Sequence, residues 1–160
     1  MTDFEGLLRT LSDGRVEFIL IGGTAARAHG SARSTNDIDV VYRRTVENLQ
    51  RLEAALAGHA PYLRGAPPGL PFRWDARTIK SGLNFTLVTD LGDLDLLGEV
   101  VGGGRYEDLI EHSIEIDALG VRCRCVDLPK LIALKRAAGR PKDFEVIAEL
   151  EAILEEKSRS

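Results

Sequence analysis

Residues Val16-Glu17-Phe18-Ile19-Leu20-Ile21 form a nearly continuous apolar run that stops at Gly22-Gly23. A short run this rich in strand formers reads as a buried β-strand. The glycine pair breaks it. Thr24 then stands where a helix N-cap would, ahead of Ala25, Ala26 and Ala28, and Gly30 is placed to end that helix. A polar loop over residues 31–36 leads to Asp37-Ile38-Asp39-Val40-Val41-Tyr42, a second strand. Any fold for this chain must therefore place a Gly-Gly turn and a D-x-D strand close to one another in sequence.

The flanking segments follow simpler patterns. Phe4, Leu7, Leu8 and Leu11 recur at helical spacing. Thr45 is a candidate N-cap for a helix with Val46, Leu49, Leu52 and Leu56 on its apolar face. Residues 64–71 hold three of the six prolines and read as a surface loop. Residues 83–89 and 93–97 read as strands joined by a tight turn, and Gly102-Gly103-Gly104 as a flexible joint. Residues 113–119 and 121–126 read as a hairpin in which Val121, Cys123 and Cys125 alternate with Arg122 and Arg124. Asp127 and Pro129 start a helix that Gly139 ends, and a last helix over residues 142–155 turns Phe144, Ile147, Leu150 and Ile153 inward.

The length of 160 residues suits one domain, with a core over residues 16–127 and C-terminal helices over residues 128–155. A net charge of -4 argues against a uniformly basic nucleic-acid-coating surface. A local cluster of Lys130, Lys135, Arg136, Arg140 and Lys142 leaves room for a polyanion. Two cysteines one residue apart do not make a disulfide scaffold, so a reducing compartment is expected. With no apolar run near the ~20 residues of a membrane span, the expected location is cytoplasmic.

Chemistry concentrates at four places. Glycines between a strand and a helix admit a phosphate to backbone N–H groups, although such pairs are commonly plain turns. Asp37 and Asp39, two apart on a strand, project to one face, where like charges repel unless a cation lies between them. Hard oxygen donors on a rigid strand suit Mg²⁺; the plain alternative is two solvated surface acids. Asp93-Leu94-Asp95-Leu96-Leu97 repeats the D-x-D pattern. Asp93 reads as a turn residue. Asp95, between leucines, needs a partner, either an arginine or a site. Finally, Lys135-Arg136-Ala137-Ala138-Gly139-Arg140-Pro141-Lys142-Asp143 gathers cations around a helix break, as a solvated helix end or as a phosphate clamp.

Smaller features have plain readings. Cys123 and Cys125 read as buried thiols. His29, His59 and His112 share no ligand spacing and read as surface positions, with a minor role in the site open to His29. Trp74 reads as an anchor of the proline-rich loop, and Arg33 as either a surface arginine or a triphosphate contact.

Gly22-Gly23-Thr24, followed by Arg33-Ser34-Thr35-Asn36-Asp37-Ile38-Asp39, resembles the signature of DNA polymerase β-like nucleotidyltransferases. With Asp95 and the Lys135 to Asp143 stretch it resembles the minimal AbiEii-type toxin family, over residues 16–150. The resemblance implies an α/β fold of α+β type: a mixed β-sheet with flanking helices and a C-terminal helical segment. It implies that Asp37, Asp39 and Asp95 hold Mg²⁺ or Mn²⁺, with Asp95 also activating the acceptor hydroxyl. Gly22, Gly23 and Thr24 would lie against the triphosphate of an NTP, and Lys135, Arg140 and Lys142 near phosphate or acceptor.

The expected reaction is transfer of an NMP to an acceptor hydroxyl with loss of pyrophosphate, stabilised by metal charge at both oxygens. The acceptor is open among RNA, particularly the tRNA end, another protein and a small hydroxylated molecule. A toxin paired with an antitoxin is the favoured biology. An antibiotic-modifying enzyme is the alternative within the class, and a catalytically silent nucleotide-binding or protein-interaction module the alternative outside it.

Overall fold

A computed structural model describes residues 1–159. Its centre is a seven-stranded mixed sheet in the order β3-β4-β5-β2-β1-β7-β6. The strands are β1 (Phe18–Ile21), β2 (Asp37–Tyr42), β3 (Tyr62–Leu63), β4 (Asn84–Thr89), β5 (Gly92–Leu97), β6 (Ser113–Ala118) and β7 (Val121–Val126). The central strands set the site. β1 pairs antiparallel with β2 and parallel with β7, and β2 pairs parallel with β5. All four residues of β1 are buried, as its unbroken apolar run requires.

Among the described residues, seven α-helices accompany the sheet: α1 (Phe4–Asp13), α2 (Gly22–Ala28), α3 (Val46–Leu56), α4 (Ala76–Ser81), α5 (Tyr106–Leu109), α6 (Leu128–Ala138) and α7 (Asp143–Ser158). Local chemistry sets several ends. The Asp3, Thr45, Asp75 and Asp127 side chains each accept a hydrogen bond from the first turn of the helix that follows. Gly139 ends α6 at φ 63°, a conformation glycine adopts without a Cβ penalty. Leu7, Leu8 and Leu11 of α1 are fully buried, so truncating any one to alanine costs about 2–5 kcal/mol. No helix among the described residues is long and apolar enough to cross a membrane.

Several sequence expectations change. Thr24 caps nothing: α2 starts at Gly22, after Ile21, with no side-chain cap. Val46 and Phe144 are exposed rather than core, because the inward stripe of α3 starts at Asn48 and Leu49 and that of α7 at Asp143 and Ile147. Gly102-Gly103-Gly104 is a packed loop, not a joint. Val100 and Gly104 bond to one another, and a Cβ on Gly103 would lie 2.7 Å from Leu134 Cδ2. His29 is buried, with its Nε2 2.8 Å from the Val126 carbonyl. Residues 64–71 follow a short strand, β3, that the sequence pattern does not announce. Cys123 and Cys125 are buried free thiols. Burial pushes them up to about 11 and about 12.

Candidate active site

The register of two central strands, β2 and β5, builds the acidic cluster. In β2, Ile38 and Val40 enter the core, so Asp37 and Asp39 take the opposite face. In β5, Leu94 and Leu96 enter the core and leave Asp93 and Asp95 on that same face. The parallel pairing sets Asp37 beside Asp93 and Asp39 beside Asp95. Asp93 is therefore a strand residue in the cluster, which corrects its reading as part of the turn. Asp37, Asp39 and Asp95 each offer a carboxylate oxygen within 4.8 Å of the others.

Like charges this close raise one another's proton affinity. The Asp39 carboxyl is pushed up to about 8, first by burial and then by Asp95 and Asp37. Asp37 is also raised, by burial and by Asp95, while Arg64 and Thr35 oppose the rise. Three hard oxygen donors on two rigid strands, with more negative charge than the one arginine paired to them offsets, fit a divalent cation such as Mg²⁺. The chemistry of the donor set excludes a soft-metal site, since neither cysteine nor histidine belongs to it.

Gly22 and Gly23 are required by contact. Gly22 has φ +67°, and a Cβ there would lie 2.9 Å from Asp39 Cγ and closer still to Oδ2. A Cβ on Gly23 would lie 2.8 Å from Thr35 Oγ1. The turn therefore lets the backbone press against the acidic cluster. Thr24 is buried and does not line the cavity; its hydroxyl donates to the Asp37 carbonyl at 3.3 Å. Thr35 makes a matching bond to the same carbonyl at 3.2 Å. Both threonines hold the start of β2.

A cavity of about 1060 Å³ opens over these residues. Asp37, Asp39 and Asp95 line one part of it, and Lys135, Arg140 and Lys142 another. Asp143, buried at the start of α7, organises the cations. It accepts from Arg140 Nε at 2.8 Å and Nη2 at 3.2 Å, and lies 3.7 Å from Lys135 Nζ. Burial pushes the Asp143 carboxyl upward, but hydrogen bonds and charge from Arg140, with Lys135, bring it below its usual range. Arg33 also lines the cavity, although its guanidinium is turned to α7, 3.1 Å from Glu145 and 3.9 Å from Glu149. The sequence motif contains Asp143 without giving it a role; an acid amid four cations is the signal for its function as the anchor of two of them, Lys135 and Arg140.

Arg64 has no such signal. It follows β3 and reaches across β4 to the carboxylates. Its nitrogens lie 2.8 Å from Asp95 Oδ1, 3.5 Å from Asp93 Oδ2 and 3.8 Å from Asp37 Oδ2. Asp95 thus has both of the partners that its sequence context left open, an arginine and an acidic site.

A family model described as "Nucleotidyl transferase AbiEii toxin, Type IV TA system" matches residues 6–144. No curated protein matches the chain. Among solved structures, the lincosamide antibiotic adenylyltransferase LnuA, in a lincomycin-bound crystal structure, is similar with a TM-score of 0.61 at 16% identity, over 94% of this chain and 96% of that one. The antibiotic-resistance factor ANT(2'')-Ia is similar with a TM-score of 0.56 at 16% identity, over 98% of this chain and 90% of that one. At these identities the likeness is one of fold.

Proposed function

The chain belongs to the AbiEii nucleotidyltransferase family, and from that membership we propose that it transfers an NMP from an NTP to an acceptor hydroxyl with Mg²⁺ held by Asp37, Asp39 and Asp95. The observation that carries this reading is the carboxylate trio, packed within 4.8 Å beside a glycine turn and facing a cavity with cations in its wall. The likeness of fold to antibiotic nucleotidyltransferases supports it.

The reaction is an in-line displacement. The acceptor oxygen forms a bond to the α-phosphorus, the bond from that phosphorus to the bridging oxygen breaks, and pyrophosphate leaves. Asp37, Asp39 and Asp95 would hold a divalent cation, whose charge would stabilise the attacking and leaving oxygens. Asp95 takes the proton of the acceptor hydroxyl. Gly22 and Gly23 let the triphosphate approach the backbone at the start of α2. Lys135 and Arg140, steadied by Asp143, face the phosphates with Lys142, and Arg33 reaches them when it leaves Glu145. Position and fixed charge supply the rate, with no covalent enzyme intermediate. The whole chain works as one domain, in the cytoplasm.

Family membership supports a toxin that modifies RNA, such as the tRNA acceptor end, and that is held in check by an antitoxin. A second acceptor class is favoured by the cavity itself. Its wall also includes Asn84, Leu97, Glu99, Val100 and Val101, none of them basic. It continues into a further cavity of about 630 Å³ lined by Gly102, Gly103, Gly104 and Asp108. None of the residues lining it is basic, and among the described residues the one cation bonded to its wall, Lys130, donates a hydrogen bond to the Gly102 carbonyl at 3.4 Å. A small hydroxylated molecule, neutral or cationic, needs no basic partner.

The test is transfer of label from each α-³²P-labelled NTP, with Mg²⁺, to total RNA, to aminoglycosides and lincosamides, and to the protein itself. Label in one acceptor that disappears with Asp39→Asn supports the reading and names the class. Label that survives Asp39→Asn contradicts it.

A further inference from the structure

Arg64 meets the acidic cluster from the β3 edge of the sheet, across Thr86, which pairs with Asp95. It does not line the cavity, whereas Asp95, the carboxylate it grips most closely, does. Its own placement is fixed by groups outside the site. The Arg64 backbone N–H donates to the Thr86 carbonyl at 2.9 Å, and Nη2 donates to the Leu87 carbonyl at 2.8 Å. The same nitrogen donates to Asp95 Oδ1 at 2.8 Å. Downstream, the chain is held compact: the Tyr62 hydroxyl donates to the Pro67 carbonyl and accepts from the Leu70 N–H, and the Tyr62 ring meets Phe72 edge to face at 6.1 Å. The guanidinium is thus tied to β4 on one side and reaches β5 and β2 on the other.

Simple neutralisation of negative charge would bring a cation to the most buried acid of the cluster, Asp39. Arg64 makes no ion pair with Asp39; its three nitrogens face Asp95, Asp93 and Asp37. One hydrogen bond, from Nη2 to Asp95 Oδ1, sets orientation, while Nε and Nη1 act on Asp93 and Asp37 at 3.5 and 3.8 Å by charge alone, Nε having no hydrogen-bond partner.

We infer that Arg64 is a positioning residue for Asp95, fixing the third carboxylate so that one oxygen stays on the guanidinium and its other side stays turned toward Asp37 and Asp39 to receive a divalent cation. The inference rests on the metal-binding reading above. Groups that hydrogen-bond to a metal ligand and orient it typically change metal affinity by about 10–100-fold when removed. A guanidinium so close also repels an incoming cation. The two effects have opposite signs: loss of positioning weakens metal binding, and loss of repulsion strengthens it.

The experiment is titration of the purified full chain with Mn²⁺, followed by electron paramagnetic resonance, on wild type, Arg64→Gln, Arg64→Lys and Asp39→Asn. The free-ion signal gives affinity and the line shape of the bound ion reports its ligand geometry, which a purely structural role would leave unchanged. Thermal unfolding of each variant identifies those that fold; if Arg64→Gln does not, Arg64→Lys carries the test. Arg64→Gln is expected to bind Mn²⁺ at least about tenfold more weakly, with an altered line shape. Arg64→Lys keeps the charge without the fork and is expected to retain a loss of about threefold or more. Arg64→Gln binding as tightly as wild type or tighter, or full recovery with lysine, would overturn the inference. Wild type that binds no Mn²⁺ would overturn the metal reading and this inference with it, and Asp39→Asn binding like wild type would displace the metal from the trio. Binding lost in Asp39→Asn but unchanged in the Arg64 variants would count against Arg64 alone.

Discussion

Gly22 and Asp39 compete for the same space: a Cβ on Gly22 would lie 2.9 Å from both the Asp39 Cβ and Cγ. Gly22 also sits at φ +67°, in the left-handed region. Gly22→Ala therefore combines a backbone penalty of about 1–2 kcal/mol with displacement of the most buried acid of the cluster. The expected result is a fall in thermal stability together with loss of measurable Mg²⁺-dependent nucleotide binding. An alanine variant that keeps wild-type nucleotide affinity would show that Asp39 need not occupy that position.

The metal-free protein should lose stability as pH rises from about 4 to about 8. The Asp39 carboxyl has an ordinary value of 3.8 and is pushed up to about 8 by burial, Asp95 and Asp37. Between those values the folded chain holds a proton that the unfolded chain has released, so raising pH favours unfolding. Asp37, raised in the same direction, adds to the trend. Urea unfolding at pH 5 and pH 8.5 measures it. Asp39→Asn should flatten the slope, and saturating Mg²⁺ should reverse it, because the cation binds the ionised carboxylates. Stability that rises with pH in the metal-free protein would contradict this assignment of charge.

Asp143→Asn should loosen both cations that it holds. Losing charge-assisted hydrogen bonds of this kind costs about 1.5–3 kcal/mol. The lowered Asp143 carboxyl contributes stability that is present above its ordinary value of 3.8 and lost as pH falls below it. The variant should therefore unfold more easily at pH 7, with a smaller difference from wild type at pH 3. If Lys135 and Arg140 face the phosphates as proposed, its NTP affinity should also fall, with a KM effect larger than any kcat effect.

Thr24→Val separates holding β2 from touching phosphate. The Thr24 hydroxyl bonds to the Asp37 carbonyl and does not line the cavity. Valine should change NTP affinity by less than about threefold, under 1 kcal/mol. Isothermal titration with the preferred NTP measures it, and a loss of tenfold or more would return Thr24 to the triphosphate.

Much of the architecture is legible in the chain because it depends on local patterns. The apolar run of β1, the alternation in β2, β4, β5 and β7, and the caps at Thr45, Asp127 and Gly139 each act within a few residues. The family motif extends this to most of the cavity wall. What escapes depends on pairing between distant segments. β3 is two residues long and is a strand only because Tyr62 and Leu63 lie beside Val88 and Leu87. Arg64 reaches the cluster because β3, β4 and β5 are adjacent, a fact that no spacing around residue 64 encodes. D-x-D next to glycine lets Asp93 read as a turn or a strand residue, and only the register with Asp37 separates the two. Phe144 follows an apolar spacing into α7 yet faces solvent, since Asp143 takes the buried position beside it.

The most direct test is calorimetric titration of the full chain with ATP, GTP, CTP and UTP, each with and without Mg²⁺, on wild type and on the Asp37→Ala, Asp39→Ala double variant. Binding of an NTP that requires Mg²⁺ and is lost in the folded double variant is the expected result. Binding that persists without Mg²⁺ and survives removal of both carboxylates would contradict a metal-dependent nucleotidyl-transfer site at Asp37 and Asp39.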